Sequence, residues 1–242
     1  QMLFFKNHSY ISFNLSDFTF STDIIWDIIK VGLPASLSMI VMAVGQGVFN
    51  KILVHISVNT VAAYQVAGRL DMLVFLPIFS IAASLTTLVG MFYGAKEYGA
   101  LRYIIKYGIF SALLITIISS TIVYTFAGHV VRFFTDDASI VIIAVNFLQI
   151  FAFAYPFISV GITTGRVLQG LGKGLPVLII TIVRVLGVSA PLALFFVFIM
   201  DKTVEWVWYS MMLSTIVAFG IGLTWLISTL KTLPTSGQSL NN

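Results

Sequence analysis

Six stretches of the chain carry almost no charge: residues 31–50, 72–95, 107–131, 138–165, 175–200 and 206–230, the fifth interrupted only by Arg184. Each exceeds the roughly 18 apolar residues needed to cross a bilayer core, and none shows the two-residue alternation of a barrel strand. The pattern predicts an all-α membrane protein of six transmembrane helices, near 31–54, 60–93, 104–128, 138–165, 175–199 and 205–230. The second helix starts ahead of its uncharged stretch, because Val61 to Leu70 continues the apolar pattern up to the embedded Arg69 and Asp71.

The flanks read differently. Within residues 1–21, Ile11, Phe13 and Leu15 alternate with polar residues and predict an extended cytosolic linker. Thr22 or Asp23 then fits a helix cap, and Ile24, Ile25, Ile28 and Ile29 at helical spacing predict an amphipathic lead-in on the membrane surface before the first span. Residues 231–242 form a polar tail. The opening residues lack the basic, apolar and cleavage regions of a signal peptide, and the chain reads as though it continues from something longer.

An even number of spans puts both termini on one side. Lys6, Lys30, Lys96, Arg102, Lys106, Arg166, Lys173 and Lys231 fall on that side, against Lys51, Arg132 and Lys202 opposite. The excess predicts a multi-pass cell-membrane protein with both termini cytosolic.

Charged residues make up 9% of the chain and hydrophobic ones 59%, against roughly 25% charged in an ordinary soluble domain. That shortage excludes soluble enzymes, and the net charge of +4 sits in short loops rather than on a nucleic-acid face. The chain has no cysteine, and His8, His55 and His129 lack the spacing of a metal site. Gly170-Leu171-Gly172-Lys173-Gly174 falls short of a phosphate loop, and there is no nucleophile elbow, so no catalytic residue, cofactor or metal is expected. The glycosylation patterns at Asn7 and Asn14 would lie on the cytosolic face as chance matches.

Within the spans, Asp71 is the one acid, and Arg69 and Arg184 are the bases. Such residues are costly in lipid and face a bundle interior or a wet cavity. At about 1.5 Å per residue, Asp71 lies roughly 17 Å from the outer end of its span and Arg184 roughly 13 Å from the inner end of its own, matching heights in a core about 30 Å thick. An interhelical Asp71 to Arg184 interaction is therefore expected, as a clamp or a coupling element. Arg69 is turned about 200° away from Asp71, with Gln65 as its same-face neighbour. Gln46 with Asn50, Asn146 with Gln149, and Tyr155 beside Pro156 are uncharged candidates for a polar pathway or for helix-to-helix hydrogen bonds. Pro77, Pro156 and Pro191 lie inside spans, where each removes a backbone hydrogen bond and makes either a gating bend or a static kink. Gly90 with Gly94, and Gly161 with Gly165, suit close helix packing.

Ile29-Lys30-Val31-Gly32-Leu33-Pro34-Ala35, Ala62-Ala63-Tyr64-Gln65-Val66-Ala67-Gly68-Arg69-Leu70-Asp71 with Leu76-Pro77, and Leu88-Val89-Gly90-Met91-Phe92-Tyr93-Gly94-Ala95-Lys96 resemble the multidrug and toxic compound extrusion (MATE) family. Gly165-Arg166-Val167-Leu168-Gln169-Gly170-Leu171-Gly172-Lys173 resembles that family's loop after the fourth span of a half. The resemblance implies one six-helix lobe of a twelve-helix transporter, the C-terminal lobe, exporting organic cations and amphiphilic xenobiotics in exchange for protons or sodium. Its implied partners are the lipid bilayer, small amphiphilic substrates, and an N-terminal lobe or second copy that completes the cavity. One branch of the family carries acids at positions matching Met42 and Phe151 to Tyr155, which hold none here. The Gly68-Arg69-Leu70-Asp71 stretch looks more like the branch named after DNA-damage-inducible protein F. A flippase for lipid-linked oligosaccharides or polysaccharides, of similar fold, is the rival reading; it would call for a strongly cationic cavity.

Overall fold

In the computed structural model the described residues are 21–234; the expected extended linker, its glycosylation patterns and His8 lie outside them, as does most of the polar tail. Six long helices follow in order: α1 (Thr22–Ile56), α2 (Val58–Gly94), α3 (Tyr98–Arg132), α4 (Ala138–Gly170), α5 (Leu175–Ile199) and α6 (Glu205–Lys231). All six are long and apolar enough to cross a membrane.

The amphipathic lead-in is not a separate element, because α1 runs unbroken from Thr22. Nothing between Lys30 and Leu33 stops a helix, so the charge boundary there is not a structural one. Pro34 consequently sits inside α1, whereas Pro176 lies in the first turn of α5.

Connections are short, and two of the helix starts, those of α2 and α4, are capped by polar side chains. Ser57 accepts from the Thr60 N–H at 3.1 Å to start α2. Asp137 accepts from the Ser139 and Ile140 N–H groups at 2.8 and 3.4 Å to start α4. Arg102 donates to the Leu230 and Leu233 carbonyls at 3.2 and 2.9 Å, placing a cation at the C-terminal end of α6.

Helix α4 is the hub: it packs extensively on α2, α3 and α6, while α1 rests mainly on α5. Small residues let the backbones close in, with Ala63 and Ala67 of α2 and Ala144 and Ala154 of α4 fully buried beside Phe147, Tyr155 and Trp208. A smaller cluster around Leu85, Val89, Leu101, Ile105, Val167 and Leu168 closes the end of the lobe where α2 gives way to α3. The outward faces remain apolar, as at Phe110, Ile118, Ile142 and Phe153, which suits contact with lipid.

Span α5 is irregular. It has π-helical turns at Val183–Ser189 and Phe195–Ile199, separated by Ala190–Leu194. Pro191 offers no N–H, and around it the pairing widens, so that the Ala190 N–H reaches the Val185 carbonyl and the Met200 N–H the Phe195 carbonyl, each five residues back.

Candidate functional site

Asp71 lies in the middle of α2, on the face that meets α4. There the Tyr155 hydroxyl donates directly to its carboxylate. Tyr155 is fully buried and held edge-on by Phe75, one turn beyond Asp71, at a centroid distance of 5.5 Å and an angle of 90°. Phe151 flanks it from the preceding turn of α4 at 6.4 Å. An acid in an apolar bundle needs such a donor, since the bilayer supplies none.

The expected contact between Asp71 and Arg184 is not the one made: the carboxylate takes Tyr155. Tyr64, seven residues before Asp71 and hence on the same face of α2, stands within reach of the charges of both Asp71 and Arg184. Matching depth leaves the azimuth around each helix free. Tyr64 itself stacks on Trp208 of α6 at 5.9 Å and meets Phe147 edge-on at 5.7 Å. Phe147 in turn sits 4.8 Å from Trp208 and 4.1 Å from Phe151. The acid is thus lodged at the edge of an aromatic cluster spanning α2, α4 and α6.

A second polar contact joins α1 and α2. Gln65 donates to the Asn50 carboxamide at 3.2 Å, so its partner is Asn50 rather than Arg69. Gln46, Gln65 and Arg69 are exposed on the lobe, as are Met39, Met42 and Met72, while Asn50 is half-buried. On α4, Asn146 and Gln149 are half-buried, and the Asn146 Oδ1 is a buried acceptor without a hydrogen-bond donor among the described residues.

The three prolines have unlike settings. Pro77 and Pro191 face outward, whereas Pro156 is half-buried, and α2 and α4 continue through Pro77 and Pro156. Tyr64, Phe147 and Trp208 were not singled out as site residues by the sequence; the seven-residue spacing of Tyr64 and Asp71 was the available signal.

The arrangement is a lobe of six membrane-length helices with one acid lodged between two of them. The sequence pattern of the MatE family matches residues 34–195, more than half of the chain, and the chain belongs to that family of transporters. It is 28% identical over 167 residues to the probable multidrug resistance protein NorM of Thermotoga maritima, covering 69% of this chain and 36% of that protein. It is likewise 28% identical over 171 residues to the multidrug export protein MepA of Staphylococcus aureus, covering 71% and 38%. Among solved structures, a multidrug resistance MATE transporter in an outward-facing conformation superposes with a TM-score of 0.88 at 30% identity, covering 97% of this chain and 52% of that one. A MATE crystal structure in the bent conformation gives a TM-score of 0.88 at 29% identity, covering 96% and 51%. The chain therefore spans about half the length of those structures and little over a third of the curated relatives.

Proposed function

We propose that this chain forms the C-terminal lobe of a multidrug exporter that moves organic cations and amphiphilic xenobiotics in exchange for protons or sodium. The observation that carries the reading is a membrane-embedded acid, Asp71, held by a neutral tyrosine rather than by a paired cation. Such a carboxylate can take up and release a cation without first breaking an ion pair. Membership of the MatE family and the multidrug relatives support the substrate class.

On this reading both termini face the cytosol, as the basic loops indicate. Gln46, Asn50, Gln65 and Arg69 are polar groups on the open face of a lobe whose other outward faces are apolar. With Met39, Met42 and Met72 among them they make a deformable wall for amphiphiles, since methionine packs adaptably against varied shapes. The complementary lobe, or a second copy, supplies the opposite wall, and Pro77, Pro156 and Pro191 provide the bends about which the spans adjust. Arg184 acts through Tyr64, and Asn146 and Gln149 offer further polar groups to the pathway.

The test is efflux of ethidium from liposomes containing the assembled transporter, with Asp71→Asn beside the wild type. Loss of the pH or sodium dependence is expected. Unchanged efflux with an unchanged ion dependence would reduce Asp71 to a structural residue.

A further inference from the structure

We propose that Ser120 is a positioning residue for the Asp71–Tyr155 pair, occupying the backbone carbonyl that Pro156 leaves without a donor and so fixing the turn of α4 that carries Tyr155. The proposal rests on the reading of that pair given above.

Proline has no N–H, so a helix continuing through Pro156 leaves the carbonyl four residues back, that of Ala152, unserved. The Ser120 hydroxyl of α3 donates to this very carbonyl across the α3–α4 interface. Ala152 and Ser120 are 4% and 8% exposed, so neither water nor another chain reaches the bond freely. The neighbouring hydroxyls of α3 behave differently: Thr116, Thr121 and Thr125 each donate to the carbonyl four residues back on their own helix. Ser120 has the same local option and reaches across instead.

Tyr155 immediately precedes Pro156, in the turn that this bond secures. Without the hydroxyl, the Ala152 carbonyl is buried and unpaired in an apolar surround, and the turn relaxes to find another donor. Such a relaxation moves the Tyr155 ring away from Asp71. The titratable and charged groups around Asp71 are Tyr155 of α4, Tyr64 of α2 and, acting on Tyr64, Arg184 of α5.

Pro156→Ala returns an N–H to the helix and makes the Ser120 hydroxyl redundant, so the two positions must be non-additive. In the assembled transporter in liposomes, Ser120→Ala is expected to lower ethidium efflux on the order of tenfold. It should also displace the pH at half-maximal rate as Tyr155→Phe does. Ser120→Thr, which keeps the hydroxyl, should restore both. Adding Ser120→Ala to Pro156→Ala should change neither. A wild-type rate and pH profile in Ser120→Ala, or an equal loss in both backgrounds, would overturn the proposal.

The infrared carboxyl band of Asp71, assigned in the purified protein by its disappearance in Asp71→Asn, gives a readout that does not need transport. It should shift in Ser120→Ala as in Tyr155→Phe, and an unmoved band counts against Ser120. If Asp71→Asn leaves efflux untouched while that band still shifts, the functional reading fails and the positioning role stands.

Discussion

The Tyr155 hydroxyl of α4 donates to the Asp71 carboxylate of α2 across the most extensively packed pair of helices in the lobe. Because Tyr155 is fully buried, Tyr155→Phe keeps the ring against Phe75 and Phe151 while deleting only the donor. We expect a loss of about 1–3 kcal/mol in stability, typical of leaving a buried hydrogen-bonding group without its partner. Thermal unfolding in detergent measures it. In Asp71→Asn the same substitution should cost less, and equal costs in both backgrounds would mean the two residues are not coupled.

Gly45 brings α1 against the π-helical turn of α5. A Cβ on Gly45 would stand 2.2 Å from the Val185 Cγ1, and the β-branched valine has few rotamers with which to yield. Gly45→Ala is therefore expected to cost about 1–3 kcal/mol by overpacking. Val185→Ala removes the obstructing methyl, so the double variant should recover most of the lost thermal stability. No recovery would place the strain elsewhere.

At Gly174 the obstacle is backbone. A Cβ there would come within 2.7 Å of the Val31 carbonyl oxygen, which no side-chain substitution can trim. Gly174→Ala should force α1 away from the start of α5 and lower the melting temperature, and truncating the Val31 side chain should not rescue it. Rescue by Val31→Ala would show that the side chain, not the carbonyl, sets the limit.

The six spans were legible because a bilayer core imposes a length and a polarity on each, and the runs met both. Helix ends were less so: the expected start of the first span near residue 31 followed the last charge, yet a helix begins and ends where its backbone is capped or broken, and Lys30 to Leu33 does neither. Asp71 and Tyr155 both stood out from the sequence, but their pairing did not, since depth counting fixes height and says nothing of the angle around the axis. The glycine pairs show the same limit. Gly94 and Gly161 meet nothing within 4 Å, whereas Gly45, Gly108, Gly170 and Gly174, none of them in those pairs, make the tight contacts. Pro156 announced that a carbonyl needed a donor, but which helix would send Ser120 depended on packing.

Asp137, outside the membrane spans, gives the lobe an acid-sensitive cap. Its carboxylate accepts from the Ser139 hydroxyl at 2.6 Å and from two N–H groups at the start of α4, and these bonds hold its carboxyl below the ordinary carboxylate range. The folded chain thus binds that proton less readily than the unfolded chain. The stabilisation is present at neutral pH and is lost as pH falls from the ordinary carboxylate range through the depressed folded value. Asp137→Ala should accordingly melt at a lower temperature than the wild type at neutral pH, with the gap narrowing under acid. The positive end of the α4 dipole adds to the effect and is screened by salt, so the neutral-pH gap should also shrink at high ionic strength. A gap that stays constant from neutral to acid pH would mean that the ionised side chain contributes nothing to the cap.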